Sequence, residues 1–234
     1  MQQTAVTKKF FTPITVRAIV FDLDGTLLDT APELCEASNR MLCDMGHTRR
    51  SQALLSSYIG NGVSWLVKRA LTGDMHAEPD AALYRRALPL FEKHYSELLG
   101  NSKLFDGALD GLEAIKTAGF RLGCITNKAA RFTGPLLKST GLEKYFDIVL
   151  SGDSLPEKKP HPLPLLHAAK FFSVPVEQLL LIGDSLNDAL AARAAGCPVF
   201  CVPYGYNHGE LAETLDTDAV IADITAALPL IKRA

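Results

Sequence analysis

Four short apolar runs recur along the chain, at residues 16–21 (VRAIVF), 120–125 (FRLGCI), 179–182 (LLLI) and 198–202 (PVFCV), each followed by polar turn residues and then by helical periodicity. Runs of this kind carry no alternating polar face, so they must be covered on both sides. Repeated in alternation with helices, they predict parallel strands of an α/β sheet. Residues 146–150 and 219–221 extend the same pattern. Helices are expected at 107–118, 129–139, 162–172 and 187–195, with stops at Gly119, Gly141, near Ser173 and at Gly196. Glycine just past the last helical turn accepts the left-handed conformation that ends it.

The stretch between Leu28 and Leu104 has helical periodicity at 33–45, 51–57, 63–71 and 81–99 without a convincing strand. A crossover of about 75 residues far exceeds an ordinary strand-to-helix connection, so an inserted helical cap is expected there. Residues 1–15 are read as an N-terminal extension, either disordered or packed on the core through Phe10 and Phe11. With 234 residues, 47% of them apolar and 21% charged, the chain has enough material for one sizeable domain or one carrying an insertion.

The formal charge of −2, from 24 basic and 26 acidic residues, offers no broad basic field for nucleic acid. Partners are therefore sought in local sites. No run reaches the ~18 consecutive apolar residues a membrane helix needs. The interrupted N-terminal segment also lacks the form of a signal peptide, and a soluble, cytoplasmic protein is expected. Five cysteines with no CxxC spacing indicate neither a disulfide scaffold nor a zinc ribbon. Oligomeric state is left open.

Chemistry concentrates where the expected strands end. Directly after the first come Asp22-Leu23-Asp24-Gly25-Thr26, with two carboxylates two residues apart on an extended segment and so able to face one cleft. Two like charges that close need a cation or a shared proton, and Mg²⁺, which takes one or two carboxylates plus phosphate oxygens and water, suits the pair. Gly25 permits a tight turn whose amides could approach a phosphate, and Thr26 adds a hydroxyl donor or a cap. Taken alone, this motif also fits an acidic surface turn or a calcium loop. After the second strand stand Thr126 and Asn127, a hydroxyl and an amide that can donate to phosphate oxygens. Lys158-Lys159-Pro160-His161-Pro162 places cations at a helix start, and Gly183-Asp184-Ser185-Leu186-Asn187-Asp188 supplies two more carboxylates.

This ordered set, DxDGT, TN, KP and GDSxND, resembles the four motifs of the haloacid dehalogenase superfamily of phosphohydrolases, and the resemblance spans almost the whole chain. It implies a Rossmann-like parallel sheet core at 16–28 and 105–234, a helical cap at 29–104, and adjacent first- and fourth-motif strands. By the same resemblance Asp22 is the nucleophile that becomes the aspartyl-phosphate, and Asp24 is the acid and base. Thr126 and Lys159, the lysine before the proline, hold the transferring phosphoryl group. Asp22, the backbone carbonyl of Asp24 and Asp184 bind Mg²⁺, with Asp188 a further metal candidate or the residue that orients Lys159.

The phrases FDLDGTLLDTAPEL, Ile59-Gly60-Asn61-Gly62, SLPEKKPHPLPLL and Tyr204-Gly205-Tyr206-Asn207 resemble bacterial phosphoglycolate phosphatases. That resemblance implies a small phosphorylated metabolite as substrate, 2-phosphoglycolate above others, with the cap loop Gly60, Asn61 and Gly62 near its carboxylate. Phosphatases of sugar phosphates or pyrophosphate and a phosphomutase on the same scaffold are the alternatives, since fold does not choose the substrate. A non-catalytic binding protein fits poorly with intact motifs. Trp65 is expected in the cap core, Arg131 in solvent, His161 in a structural role and Cys124 in strand packing.

Overall fold

The computed structural model describes residues 13–234. Six strands form one parallel sheet: β2 (Ala18–Phe21), β5 (Arg121–Ile125), β6 (Ile148–Leu150), β7 (Leu179–Gly183), β8 (Val199–Cys201) and β9 (Ala219–Val220). Their order is β6-β5-β2-β7-β8-β9, which puts β2 at the centre between β5 and β7. All six apolar runs read from the sequence lie in this sheet.

Alternation along β2 explains its position. Ile19 and Phe21 enter one core cluster with Leu112, Leu136 and Ile224, while Ala18 and Val20 enter the other with Leu165, Leu181 and Ala192. Side chains two apart share a face, and here both faces are apolar, so the strand is buried on both sides. Helices α5 (Ala108–Thr117) and α6 (Ala130–Ser139) supply residues to the first cluster; α7 (Leu163–Phe172) and α8 (Leu186–Ala195) supply the second.

The expected first strand divides. Residues Ile14–Val16 form β1, which pairs in parallel with β10 (Ile231–Arg233), before the chain enters β2. The N-terminal extension therefore ends in a strand rather than running to residue 15, and a partner more than 200 positions away leaves no local trace in the sequence. Phe10 and Phe11 lie outside the described residues.

The helical cap consists of α1 (Ala31–Asp44), α2 (Gln52–Ser56), α3 (Val63–Thr72) and α4 (Ala81–Leu98). It is reached and left through a short antiparallel ribbon that the sequence reading missed, β3 (Leu28–Asp29) against β4 (Lys103–Leu104). Two residues per strand are too few for periodicity to register. The four helices share an apolar cluster of their own, in which Phe91 and Tyr95 of α4 stack at 5.8 Å between ring centroids. Phe132 of α6 joins it, edge-on to Tyr95 at 5.0 Å, so the core contributes one wall of the cap's interior. Asp80 caps α4 by accepting from the amides of Ala82 and Leu83 at 2.9 and 3.0 Å.

Replacing fully buried Phe91 with alanine removes the centre of this cluster. The expected loss is about 3–5 kcal/mol of stability in urea denaturation. A loss below about 1 kcal/mol would mean the cap interior repacks freely.

Candidate active site

The C-terminal edge of the sheet collects the motif residues because β5, β2 and β7 stop in step. Phe21 lies opposite both Cys124 and Ile182. The next residues are Asp22, whose amide continues the ladder to Ile182 O at 2.9 Å, Thr126, whose amide donates to Leu150 O at 2.9 Å, and, after Gly183, Asp184. Open α/β sheets bind ligands at this edge.

Asp22, Asp184 and Asp188 bring one carboxylate oxygen each to within 4.8 Å of one another. Burial raises Asp22 from its ordinary 3.8 to about 7, opposed by Lys159 and reinforced by the charges of Asp188 and Asp24. Burial, then Asp22 and Asp188, pushes Asp184 well above its ordinary range. The cluster cannot comfortably hold all its negative charge without a counter-ion. Its donors are all carboxylate oxygens at one cleft, which fits a hard divalent cation.

Asp184 is held on every side. Its Oδ1 accepts from the Thr26 hydroxyl at 2.6 Å and its Oδ2 from the Tyr206 amide at 2.7 Å. Gly25, at φ +91°, and Gly205 pass so close that neither position has room for a Cβ beside this carboxylate. Here the expectation for Gly25 changes: its own amide donates to Leu28 O at 2.9 Å, closing the turn, and is spent before any phosphate arrives. The glycine is needed for the turn and for the approach of Asp184. Thr26 likewise serves Asp184.

Lys159, 2% exposed, lies 3.0 Å from Asp22 Oδ1 and 2.6 Å from Asp188 Oδ1. Burial would lower its pKa, but Asp188 and Asp22 more than offset this and keep it protonated. The other oxygen of Asp188 accepts from the amides of Asp184 and Ser185 and from the Ser185 hydroxyl. With both oxygens so committed, Asp188 is best placed to orient Lys159. The neighbouring Lys158 reaches away, donating to Asn61 O at 2.9 Å.

The Asp24 carboxylate is not among the three that cluster. Its Oδ2 pairs with Lys128 Nζ at 3.0 Å, while its buried Oδ1 has no hydrogen-bond partner. The sequence reading passed over Lys128. Nothing in a lone lysine one position past a strand-end motif marks it as buried, yet it is 3% exposed, with its ammonium 4.9 Å from the Tyr95 ring centroid.

Asp22, Asp24, Thr126, Asn127 and Lys128 open on a cavity of about 30 Å³, roofed from the cap by Ile59, Gly60, Gly62, Val63 and Leu66. Thr126 Oγ1 accepts from the Lys128 amide at 3.2 Å and keeps its own proton. Two other side chains expected near the phosphate have protein partners in this structure. Asn127 spends both amide hydrogens on backbone carbonyls, Gly60 O at 3.0 Å and Lys159 O at 2.8 Å, so it ties cap to core rather than donating to phosphate. Asn61 turns from the cavity to donate to Asn187 Oδ1 at 3.1 Å. Gly60 O also receives Asn187 Nδ2, and His208 Nδ1 donates to Ser57 O at 2.7 Å.

Trp65 is only half buried, beneath Lys68 at 4.8 Å and Arg69 at 5.4 Å, so it is a cation platform at the cap surface rather than part of the cap core. Arg131 is solvent-facing and pairs with Glu92, His161 Nδ1 accepts from the Leu163 amide at 3.1 Å, and Cys124 is buried in β5.

The raised carboxylate has a measurable consequence. Asp22 binds its proton more tightly folded than unfolded, so its stabilisation is complete below 3.8 and is lost as pH rises through about 7. In chelator-treated protein, wild type should therefore lose stability relative to Asp22→Asn between about pH 4 and pH 8, read from urea midpoints, and a divalent cation should restore more at about pH 8 than at about pH 5. A flat difference would contradict the burial argument.

The family model described as haloacid dehalogenase-like hydrolase matches residues 19–202. A protein named phosphoglycolate phosphatase from Thiobacillus denitrificans is 55% identical over 95% of this chain and 98% of its own. One of the same name from Nitrosospira multiformis is 52% identical over 94% and 98%. The crystal structure described as a predicted phosphoglycolate phosphatase from Haemophilus somnus superposes with a TM-score of 0.85 at 34% identity, covering 90% of this chain and 95% of that one. No helix among the described residues is long and apolar enough to cross a membrane. A whole-chain match, on a sheet whose motif strands converge as described, places this chain in the haloacid dehalogenase-like hydrolases.

Proposed function

We propose that this hydrolase cleaves a small, acidic phosphate monoester, 2-phosphoglycolate to glycolate, through an aspartyl-phosphate on Asp22. The chain is a phosphoric monoester hydrolase in this reading. The observation that carries it is the division of labour between two adjacent carboxylates: Asp22 among the metal-type cluster and Lys159, Asp24 beside the cavity with one oxygen unpartnered.

Asp22 Oδ1 is held by the Leu23 amide at 2.7 Å and by Lys159, and among the described residues Oδ2 accepts no hydrogen bond. Oδ2 is thus the oxygen that attacks phosphorus. As the bond from Oδ2 to phosphorus forms and the ester bond breaks, Asp24 Oδ1 gives its proton to the departing oxygen. In the second half Asp24 takes a proton from water, whose oxygen displaces the Asp22 carboxylate from phosphorus. Lys159 and the Thr126 hydroxyl offset charge on the phosphoryl oxygens. Asp22, Asp184 and the backbone of Asp24 would hold Mg²⁺, which supplies charge neutralisation for the carboxylate cluster and the phosphoryl group.

The names of the whole-length relatives support 2-phosphoglycolate as the substrate.

The test is phosphate release with Mg²⁺ across 2-phosphoglycolate, sugar phosphates, pyrophosphate and an aryl phosphate, compared by kcat/KM. A preference for 2-phosphoglycolate is expected, and preference for another ester would reassign the substrate while keeping the chemistry. Asp22→Asn should lower kcat by at least about 10⁴-fold with folding retained, and chelation should abolish turnover. Activity surviving either change would overturn the corresponding assignment.

A further inference from the structure

Lys128 is a buried cation whose surroundings are incomplete. Among the described residues that line the cavity it is the only cationic one, and its Nζ carries three donors. One meets Asp24 Oδ2 at 3.0 Å, and the Tyr95 ring lies at 4.9 Å. Beyond these the cap presents Leu34, Ile59, Val63 and Leu66, which offer a cation nothing. Burial would lower its pKa, but Asp24 and Tyr95 more than offset this and keep the ammonium charged.

Asp24 Oδ2 is the one hydrogen-bonded partner of Lys128 Nζ among the described residues, so donors of a desolvated ammonium remain to be met by an anion that enters with the substrate. A second feature points to the same place. Helix α3 starts at the cavity, its N-cap position is Gly62, and no side chain caps it. The first-turn amides and the positive end of the helix dipole therefore complement an anion there.

We propose that Lys128 is the specificity-determining residue of this site: with the first turn of α3 it ion-pairs a carboxylate carried one or two carbons from the ester oxygen, selecting phosphorylated short hydroxy acids over esters with neutral tails. The proposal rests on the phosphatase reading above. Lys128 touches both Asp24 and the cavity, so the carboxylate anchor and the proton donor sit side by side, as a short substrate demands.

The experiment compares 2-phosphoglycolate with ethyl phosphate, nearly the same size but without the carboxylate, in wild type and Lys128→Met with Mg²⁺ present. The deciding quantity is the ratio of the two kcat/KM values, which cancels any shared effect on Asp24. It should fall about 100-fold in the variant, the scale on which losing one partner of a buried charge pair acts. An unmoved ratio would overturn the proposal, leaving Lys128 as a positioning residue for Asp24. Product inhibition of the wild type decides the matter even if the variant does not fold: glycolate should inhibit at concentrations at least about tenfold lower than ethylene glycol, and equal inhibition overturns the assignment. Wild-type protein that hydrolyses neither ester refutes the phosphatase reading itself, whereas hydrolysis of both with an unmoved ratio refutes only the role of Lys128.

Discussion

Four buried or half-buried carboxylates at one strand edge, Asp22, Asp24, Asp184 and Asp188, are the constraint around which this molecule is arranged. Like charges in a desolvated cleft repel strongly, and the surrounding structure answers that repulsion residue by residue. Lys159 bridges Asp22 and Asp188, Lys128 faces Asp24, and Thr26 with the Tyr206 amide holds Asp184. Removing one partner would strand a buried charge, which generally costs more than the pair itself contributes. The negative charge that Lys159 leaves uncompensated on Asp22 and Asp184 is what a divalent cation would offset in the proposed reading.

Cap and core meet through polar contacts that surround the same cleft. The loop from Ser57 to Gly62 is tied to the core by Asn127, Asn187, Lys158 and His208, all acting on its backbone carbonyls or on Asn61. Each such bond contributes on the order of 1 kcal/mol net, because water replaces it when broken. A junction of that kind ties the roof to the core through polar contacts in this loop. The apolar attachment lies elsewhere, where Phe132 enters the cap cluster.

The six sheet strands and the long helices were legible because burial on both faces, or on one stripe, leaves a periodic pattern in the residues themselves. Asp22, Thr126 and Asp184 were legible as strand-end residues because each follows directly on an apolar run or on the glycine that ends it. The short ribbon β3–β4 and the pair β1–β10 were not, since two or three residues hold no period and their partners are distant. Trp65 was misplaced because an aromatic at helical spacing reads as core, while cations on its own helix cover it at the surface.

By itself, then, the sequence determined the fold class, the helical insertion and which polar and charged residues follow the strands, all properties of local pattern and motif order. Only the tertiary structure decided how those residues divide the work. Asn127, Asn61 and Gly25 carry the right donors for phosphate, yet their hydrogens are already spent inside the protein or, for Asn61, turned away from the cavity. Lys128 carries no motif signature, yet lies beside Asp24. Which donors remain free depends on the distance and direction of partners brought together from far along the chain, and that information exists only once the chain is folded.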